Sequence, residues 1–216
     1  MDSSFKDSVL GIPFYRFYYD KSKMDAVYDG VQNLSYRDND TNWIWSGVKF
    51  DGVGGSDLHK LPEFAELFEW LGECMSEVAR DLRIPNKIVP NSAFAHVNKT
   101  GQFIYDHVHP NCFFSSNYYI SGESRDNTVF VYENPYFHKS NIRPCGDGDK
   151  EWSEDTYYLV HKEPTEPGKF VVFPPTIRHY SQPNSSRYDR YTIAVNWFPT
   201  GLVNCGDVSH LNVEVL

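Results

Sequence analysis

Cysteine is scarce in this sequence and never closely spaced. The four cysteines, Cys74, Cys112, Cys145 and Cys205, form no CxxC pair. That excludes a zinc ribbon and a thioredoxin-type motif, and fits free thiols in a reducing compartment better than a disulfide framework. No stretch approaches the roughly 18 apolar residues of a membrane-spanning helix. The opening MDSSFKDSVLGIPFYRFYYD starts acidic and has no long apolar core, so no secretory signal is read there and the expected place is the cytoplasm. Positive charge is also in deficit. Twenty Lys and Arg face 29 Asp and Glu, a formal net charge of -9, which disfavours gripping nucleic acid by its phosphates. No internal repeat and no linker breaks the chain.

What is present is apolar and aromatic. Hydrophobic residues make up 40% of 216 and aromatics 16%, enough for one packed core and against disorder. Residues 11–19 read as a strand and 21–33 as a short helix, and 43–51 as extended chain. From 61 to 84, Phe64, Leu67, Phe68, Leu71, Met75, Val78 and Leu82 recur at spacings of three and four, which predicts an amphipathic helix opened by Leu61 and Pro62. After Pro85 the texture changes. Short β-rich runs at 88–98, 102–107, 113–121, 128–132, 156–161, 168–173 and 188–198 are separated by Gly, Pro, Asn and Asp, the pattern of a sandwich or barrel. The polar, Gly- and Pro-bearing stretch 134–155 reads as a long loop that could serve as a lid. The expected organisation is one domain over 1–216, with strand and helices in 1–87 packed on a β core in 88–200.

Of the eight histidines, two stand one residue apart, in YDHVHPN. Residues i and i+2 of a strand point the same way, so His107 and His109 can face one interior and act as two arms of a metal site. A third arm should come from elsewhere in the barrel. His179 follows an apolar strand and a Pro-Pro turn, a placement that predicts an imidazole at a barrel mouth. Eleven residues on, an otherwise apolar strand carries Arg190, Thr192, Ala194 and Asn196 on one face. An arginine facing a barrel interior needs an anion, because an unpaired buried charge is costly, and a ligand carboxylate would supply one. The alternative is an outward Arg190 paired with Asp189. His96 and His161 could be polar pocket residues or satisfied histidines elsewhere, and His59 belongs to the helix entry. Phe94, Tyr105, Tyr136, Trp152 and Trp197 could line a pocket, but aromatics of this kind are more often core.

His107-x-His109, the distal His179 and Arg190-x-Thr192 together resemble the signature of Fe(II)/2-oxoglutarate-dependent oxygenases. Their usual pattern is His-x-Asp/Glu, a distant His, then Arg-x-Ser/Thr. The chain is most similar to a group of such oxygenases common in marine phages and bacteria. The shared segments are Ile12-Pro13-Phe14, Asp57 to Glu63, His107 to Asn111, Tyr118-Tyr119, and Phe173-Pro174 through His179 to Asn184 and Arg190. It is also similar to the prolyl-hydroxylase pattern Y-x-x-G-x-x-Y-x-x-H-x-D. Gly101 and His107 fall in register there, and Asn98 and Ile104 replace the two tyrosines.

The resemblance implies a mainly β fold with N-terminal helices (α+β), a double-stranded β-helix or jelly-roll barrel. It implies Fe(II) and 2-oxoglutarate as cofactors, O2 as oxidant, and succinate and CO2 as products. The oxygenase would hydroxylate an unidentified small-molecule or peptide substrate. Arg190, Thr192, Tyr119 and Asn98 are the implied oxoglutarate-binding residues; His107, His109 and His179 are the implied metal ligands, with no protein base required. The implied location is a cytoplasm, a host's if a phage encodes the chain; a homodimer stays open. The departure is His109 where a carboxylate is usual. Either it ligates, giving a three-histidine face, which iron accepts, or it swings away and leaves His107 and His179. Asp106 faces the other side of the strand. Competing readings are a three-histidine cupin-type dioxygenase that uses no oxoglutarate, a jelly-roll binding module without catalysis, and a zinc hydrolase. The last would want a general-base carboxylate beside the metal.

Overall fold

The computed structural model describes residues 5–9, 12–38, 48–50, 57–133, 158–203 and 211–214. Fourteen strands and two α-helices occur among them. The strands are β1 Phe5–Val9, β2 Ile12–Tyr18, β3 Tyr36–Asp38, β4 Val48–Phe50, β5 Ile88–Asn98, β6 Ile104–His107, β7 Phe114–Tyr119, β8 Asn127–Glu133, β9 Tyr158–Pro164, β10 Lys169–Phe173, β11 Arg178–Ser181, β12 Arg190–Pro199, β13 Gly201–Val203 and β14 Leu211–Val213. The helices are α1 Met24–Gln32 and α2 Ala65–Asp81.

Eight strands form one antiparallel sheet in the order β1-β2-β10-β7-β12-β5-β4-β3, and four form a second in the order β6-β11-β8-β9. This is a mainly β, jelly-roll architecture, as the strand texture after Pro85 predicts. The alternation of side chains along each strand builds two separate layers. On β12, Tyr191, Ile193, Val195 and Trp197 point to one side and join the larger core. Val97, Ala95 and Ala93 of β5, Tyr118 of β7, and Phe170 and Val172 of β10 lie in the same layer. Helix α2 covers it with Leu67, Phe68, Leu71, Cys74, Met75 and Val78, the stripe that the three-and-four spacing predicts. Pro62 opens a single 3-10 turn before α2. Arg83, at φ 57, closes the helix, and the Ile84 N–H reaches back to the Ala79 carbonyl at 2.8 Å.

The opposite faces of the same strands look into the barrel. Phe14, Tyr119, Phe130, Val171, Phe173 and Ile177 plug one part of that interior. The remainder is polar. Near the plug, Glu163 is 1% exposed and held by Arg16 at 2.7 Å and by Lys169 at 2.9 Å, with His161 at 2.8 Å. Burial opposes ionisation of this carboxyl, but hydrogen bonds from His161, Arg16 and Lys169 hold it well below the usual carboxylate range.

One sequence expectation needs correction, and the favoured core placement of Trp197 holds. Strand β11 was not expected, and it carries His179 into the sheet: His179 is 4% exposed, not at an open mouth. The Pro-Pro turn hides a four-residue strand whose apolar signal is too short to read. Trp197 is fully buried in the α2-side core, where its indole N–H donates to Ser116 Oγ at 2.7 Å, so it lines no pocket. The proposed lid 134–155, Tyr136, Trp152, Cys145 and Cys205 lie outside the described residues. Cys74 and Cys112 are free thiols.

Candidate functional site

Strands β6 and β11 pair so that His107 stands directly opposite His179. His109 lies just past the end of β6, where its backbone N–H donates to the Pro175 carbonyl at 2.9 Å. The three imidazoles converge, each offering a nitrogen within 4.8 Å of the others. His109 Nε2 and His179 Nε2 are 3.3 Å apart. Two nitrogens each about 2.1 Å from one ion, at roughly 100° to each other, stand about that far apart.

The ring orientations suit a metal. His107 Nδ1 donates to the Tyr105 carbonyl at 2.6 Å and His179 Nδ1 to the Ile177 carbonyl at 2.9 Å. With those protons on Nδ1, both Nε2 lone pairs face the common centre. Burial pushes the His179 pKa well below its ordinary value, and His107 and His109 push the same way, so the ring stays neutral. Asp106 points away, 3.1 Å from Arg178. A set of three imidazoles fits a ferrous ion.

A cavity of about 300 Å³ opens beside this cluster, and its wall includes all three histidines, Asn98, Tyr119, Arg190 and Thr192. Arg190 is 3% exposed and faces inward, not toward Asp189. Its Nη2 donates to Asn98 Oδ1 at 3.2 Å and to Ser181 Oγ at 3.1 Å. Its Nη1 is buried and has no partner among the described residues. Burial lowers the Arg190 pKa and Asp126 works against that; among the described residues no carboxylate touches the guanidinium. A buried cation with one unfilled nitrogen fits an incoming carboxylate. Gly122, at φ +135, lies against the arginine stem, where a Cβ would come within 3.1 Å of Arg190 Cγ and 2.6 Å of Thr165 Cγ2.

Register explains the rest of the wall. Arg190 pairs with Asn98, and Thr192 lies between His96 on β5 and Tyr119 on β7. The Tyr119 hydroxyl donates to Thr128 Oγ1 at 2.8 Å, and burial holds that phenol neutral. Phe94 and His96 line the cavity, with their rings edge to face at 4.9 Å. Tyr105 instead packs on Phe103, and His161 belongs to the Glu163 cluster. Sequence reading did not assign Asn117, Thr128 or Ser181 to the site, all of which line it. Asn117 could have been found by stepping back two residues from Tyr119. Ser181 could not, because β11 was unrecognised.

The family model described as "Putative 2OG-Fe(II) oxygenase" matches residues 92–196, which hold every residue of this site. The match spans a little under half of the chain, and it is to the 2OG-Fe(II) oxygenases that this stretch is similar. Solved structures share the fold. HygX from Streptomyces hygroscopicus, solved with nickel, 2-oxoglutarate and hygromycin B bound, superposes with a TM-score of 0.60 at 14% identity, over 87% of this chain and 83% of that one. A Pseudomonas putida prolyl-4-hydroxylase gives 0.56 at 10% identity, over 88% and 94%. The viral collagen prolyl hydroxylase of Paramecium Bursaria Chlorella virus-1, as its 2OG complex, gives 0.51 at 10% identity, over 85% and 94%. No curated protein matches the chain. Other HygX structures of the same fold hold nickel with 2-oxoglutarate, or iron. No helix among the described residues of this chain is long and apolar enough to cross a membrane.

Proposed function

We propose that His107, His109 and His179 hold the ferrous ion through Nε2, and that Arg190 receives the distal carboxylate of 2-oxoglutarate. The observation that carries this reading is the pairing of two unmet needs in one cavity. Three nitrogens converge with no proton among the carbonyl-locked pair, and a buried guanidinium nitrogen has no acceptor. Asn98 orients Arg190 through Nη2, and Thr192 and Tyr119 border the same carboxylate site. Because Tyr119 already donates to Thr128, its hydroxyl offers a carboxylate no proton unless that bond opens. Bound iron with 2-oxoglutarate supplies the oxidising power, consuming O2 and releasing succinate and CO2. The chain's own part is to orient the diacid, keep the His179 imidazole neutral and shield the cavity.

The substrate is an unidentified small molecule or peptide, hydroxylated in a cytoplasm by a chain that acts as one domain. The proteins of like fold include one holding hygromycin B and others named as prolyl hydroxylases, which supports both substrate classes. The cupin-type alternative is disfavoured by the inward Arg190, which a site without a diacid has no need to bury. The test is an anaerobic titration of the Fe(II)-loaded oxygenase with 2-oxoglutarate. A visible metal-to-ligand charge-transfer band that weakens sharply in Arg190→Ala supports the reading. Bound iron with no band sinks it.

A further inference from the structure

The three histidines are not held alike. His107 and His179 lie in paired strands, where the ladder between β6 and β11 fixes their backbones. His109 lies past the end of β6, in the connection that leads to β7 at Phe114. A bulge on the larger sheet anchors that connection. β5 sets Ser92 against Asn196 and Pro90 against Trp197, so Asn91 is an extra residue in the ladder. Asn91 Nδ2 donates to the Asn111 carbonyl at 3.4 Å, and the Phe113 N–H donates to the Trp197 carbonyl at 2.8 Å. Between these two ties, the Cys112 sulfur lies 3.5 Å from Asn196 Oδ1 and 3.8 Å from the His109 carbonyl. Burial raises the Cys112 pKa to about 11, so the thiol keeps its proton and can donate. Asn196 is itself fixed. Its Nδ2 donates to Ser92 Oγ at 3.0 Å, and Ser115 Oγ, on the neighbouring strand, donates to its Oδ1 at 3.4 Å. Asn196 and His109 line the same cavity.

We propose that Asn196 is a positioning residue for His109: through Cys112 it holds the connection that aims this imidazole at His107 and His179. The proposal rests on the three-histidine metal site and extends it. A connection without a ladder keeps its shape through a few tethers, and each tether removed returns backbone freedom. Coordination tolerates little of that freedom, since metal–ligand distances hold to within about 0.2 Å. Asn196 therefore decides between the two courses open to His109, to ligate or to swing away. His107 and His179 do not depend on it. Their backbones are paired, and their Nδ1 atoms are bound to the Tyr105 and Ile177 carbonyls.

The experiment is calorimetric titration with Mn(II) of the wild type, Asn196→Ala, His109→Ala and the double variant. The visible spectrum of the Co(II) form is a second readout. Asn196→Ala should weaken Mn(II) about tenfold or more, the loss expected when an outer partner of a metal ligand is removed. It should also move the Co(II) bands toward those of His109→Ala. In the His109→Ala background the same substitution should change Mn(II) affinity by less than about twofold, because its route to the metal has gone. Cys112→Ala should weaken Mn(II), and Cys112→Ser, which keeps a donor for Asn196, should not. If Asn196→Ala does not fold, the Cys112 pair decides alone. Equal weakening by Asn196→Ala in both backgrounds overturns the proposal, since it marks a general structural role. So does wild-type affinity in Asn196→Ala, or equal affinity in Cys112→Ala and Cys112→Ser. A His109→Ala protein with wild-type Mn(II) affinity overturns the three-histidine site itself, and this proposal with it.

Discussion

Replacing Arg190 by Met should strengthen the free protein, or leave it unchanged, while destroying diacid binding. The two effects have opposite signs because they come from the same desolvated charge. Arg190 is 3% exposed, its Nη2 rests on two neutral oxygens, and its Nη1 has no partner. Without a ligand, the guanidinium is a buried cation with no contacting anion. Exchange for an apolar side chain of similar length is then neutral or stabilising, by about 1–4 kcal/mol where buried ions have been replaced in this way. With the diacid present, the balance reverses. Removing one partner of a buried ion pair costs about 3–5 kcal/mol. At roughly 1.4 kcal/mol per decade, affinity for 2-oxoglutarate should fall by two to three and a half powers of ten.

Thermal melts with and without ligand separate the two effects. At a 2-oxoglutarate concentration of 100 Kd, binding adds about 2.7 kcal/mol to the wild type. For a chain of this size that raises Tm by roughly 5–11 °C. The Met variant should show no shift at the same concentration, from a starting Tm equal to or above that of the wild type. A variant that melts several degrees lower without ligand and still rises with 2-oxoglutarate would refute the reasoning. Arg190 would then be a structural residue, and the anion would bind elsewhere.

Three other outcomes follow from the packing and the charges. His179→Ala should cost about 100-fold or more in Mn(II) affinity, since loss even of an outer partner of a metal ligand costs about 10- to 100-fold; His109→Asp, which restores a carboxylate, should bind Mn(II) at least as well as wild type by calorimetry. Glu163, whose folded pKa lies well below its ordinary value, lends stability that is present in full above about pH 5 and is lost as pH falls through and below the unfolded value of about 4.3. Glu163→Gln should therefore flatten the acid limb of the stability curve, and should cost about 3–5 kcal/mol in denaturant melts at pH 7 by stranding Arg16 and Lys169. Leu71→Ala, at a fully buried position of α2, should cost about 2–5 kcal/mol in urea melts while leaving the charge-transfer band of the folded fraction unaltered.

The elements legible in the sequence are those whose periodicity runs long. Helix α2 and strand β5 carry enough repeats that their apolar faces can be read directly. Strand β12 shows its polar face because Arg190, Thr192 and Asn196 interrupt an apolar run at every second place. Short pieces escaped for the matching reason. Strand β11 spans four residues after two prolines, so two full alternations never appear, and His179 reads as a loop residue. The meeting of His107 with His179 depends on register between β6 and β11, which no local pattern encodes. The role of His96 was ambiguous because a lone histidine in a strand looks the same whether it faces a cavity or a core. Counting by twos from Asn98 would have placed it on the cavity face.

The charges inside the barrel explain why one carboxylate could be given up. In the usual pattern a carboxylate ligand offsets one unit of the metal's charge. With His109 as the proposed third ligand that unit goes uncompensated, and the described wall of the cavity holds no carboxylate at all. Its one fixed charge, Arg190, is also positive. Asp126, the nearest buried anion by its effect on Arg190, is turned to Ser185, whose N–H and hydroxyl it accepts. A ferrous ion and a guanidinium in one low-dielectric cavity repel each other unless an anion lies between them. A dicarboxylate would supply two negative charges, one beside the imidazole cluster and one at Arg190. In the proposed site the metal and the diacid would therefore stabilise each other's binding more strongly than in a site with a protein carboxylate. By linkage that gain is the same whichever ligand arrives first.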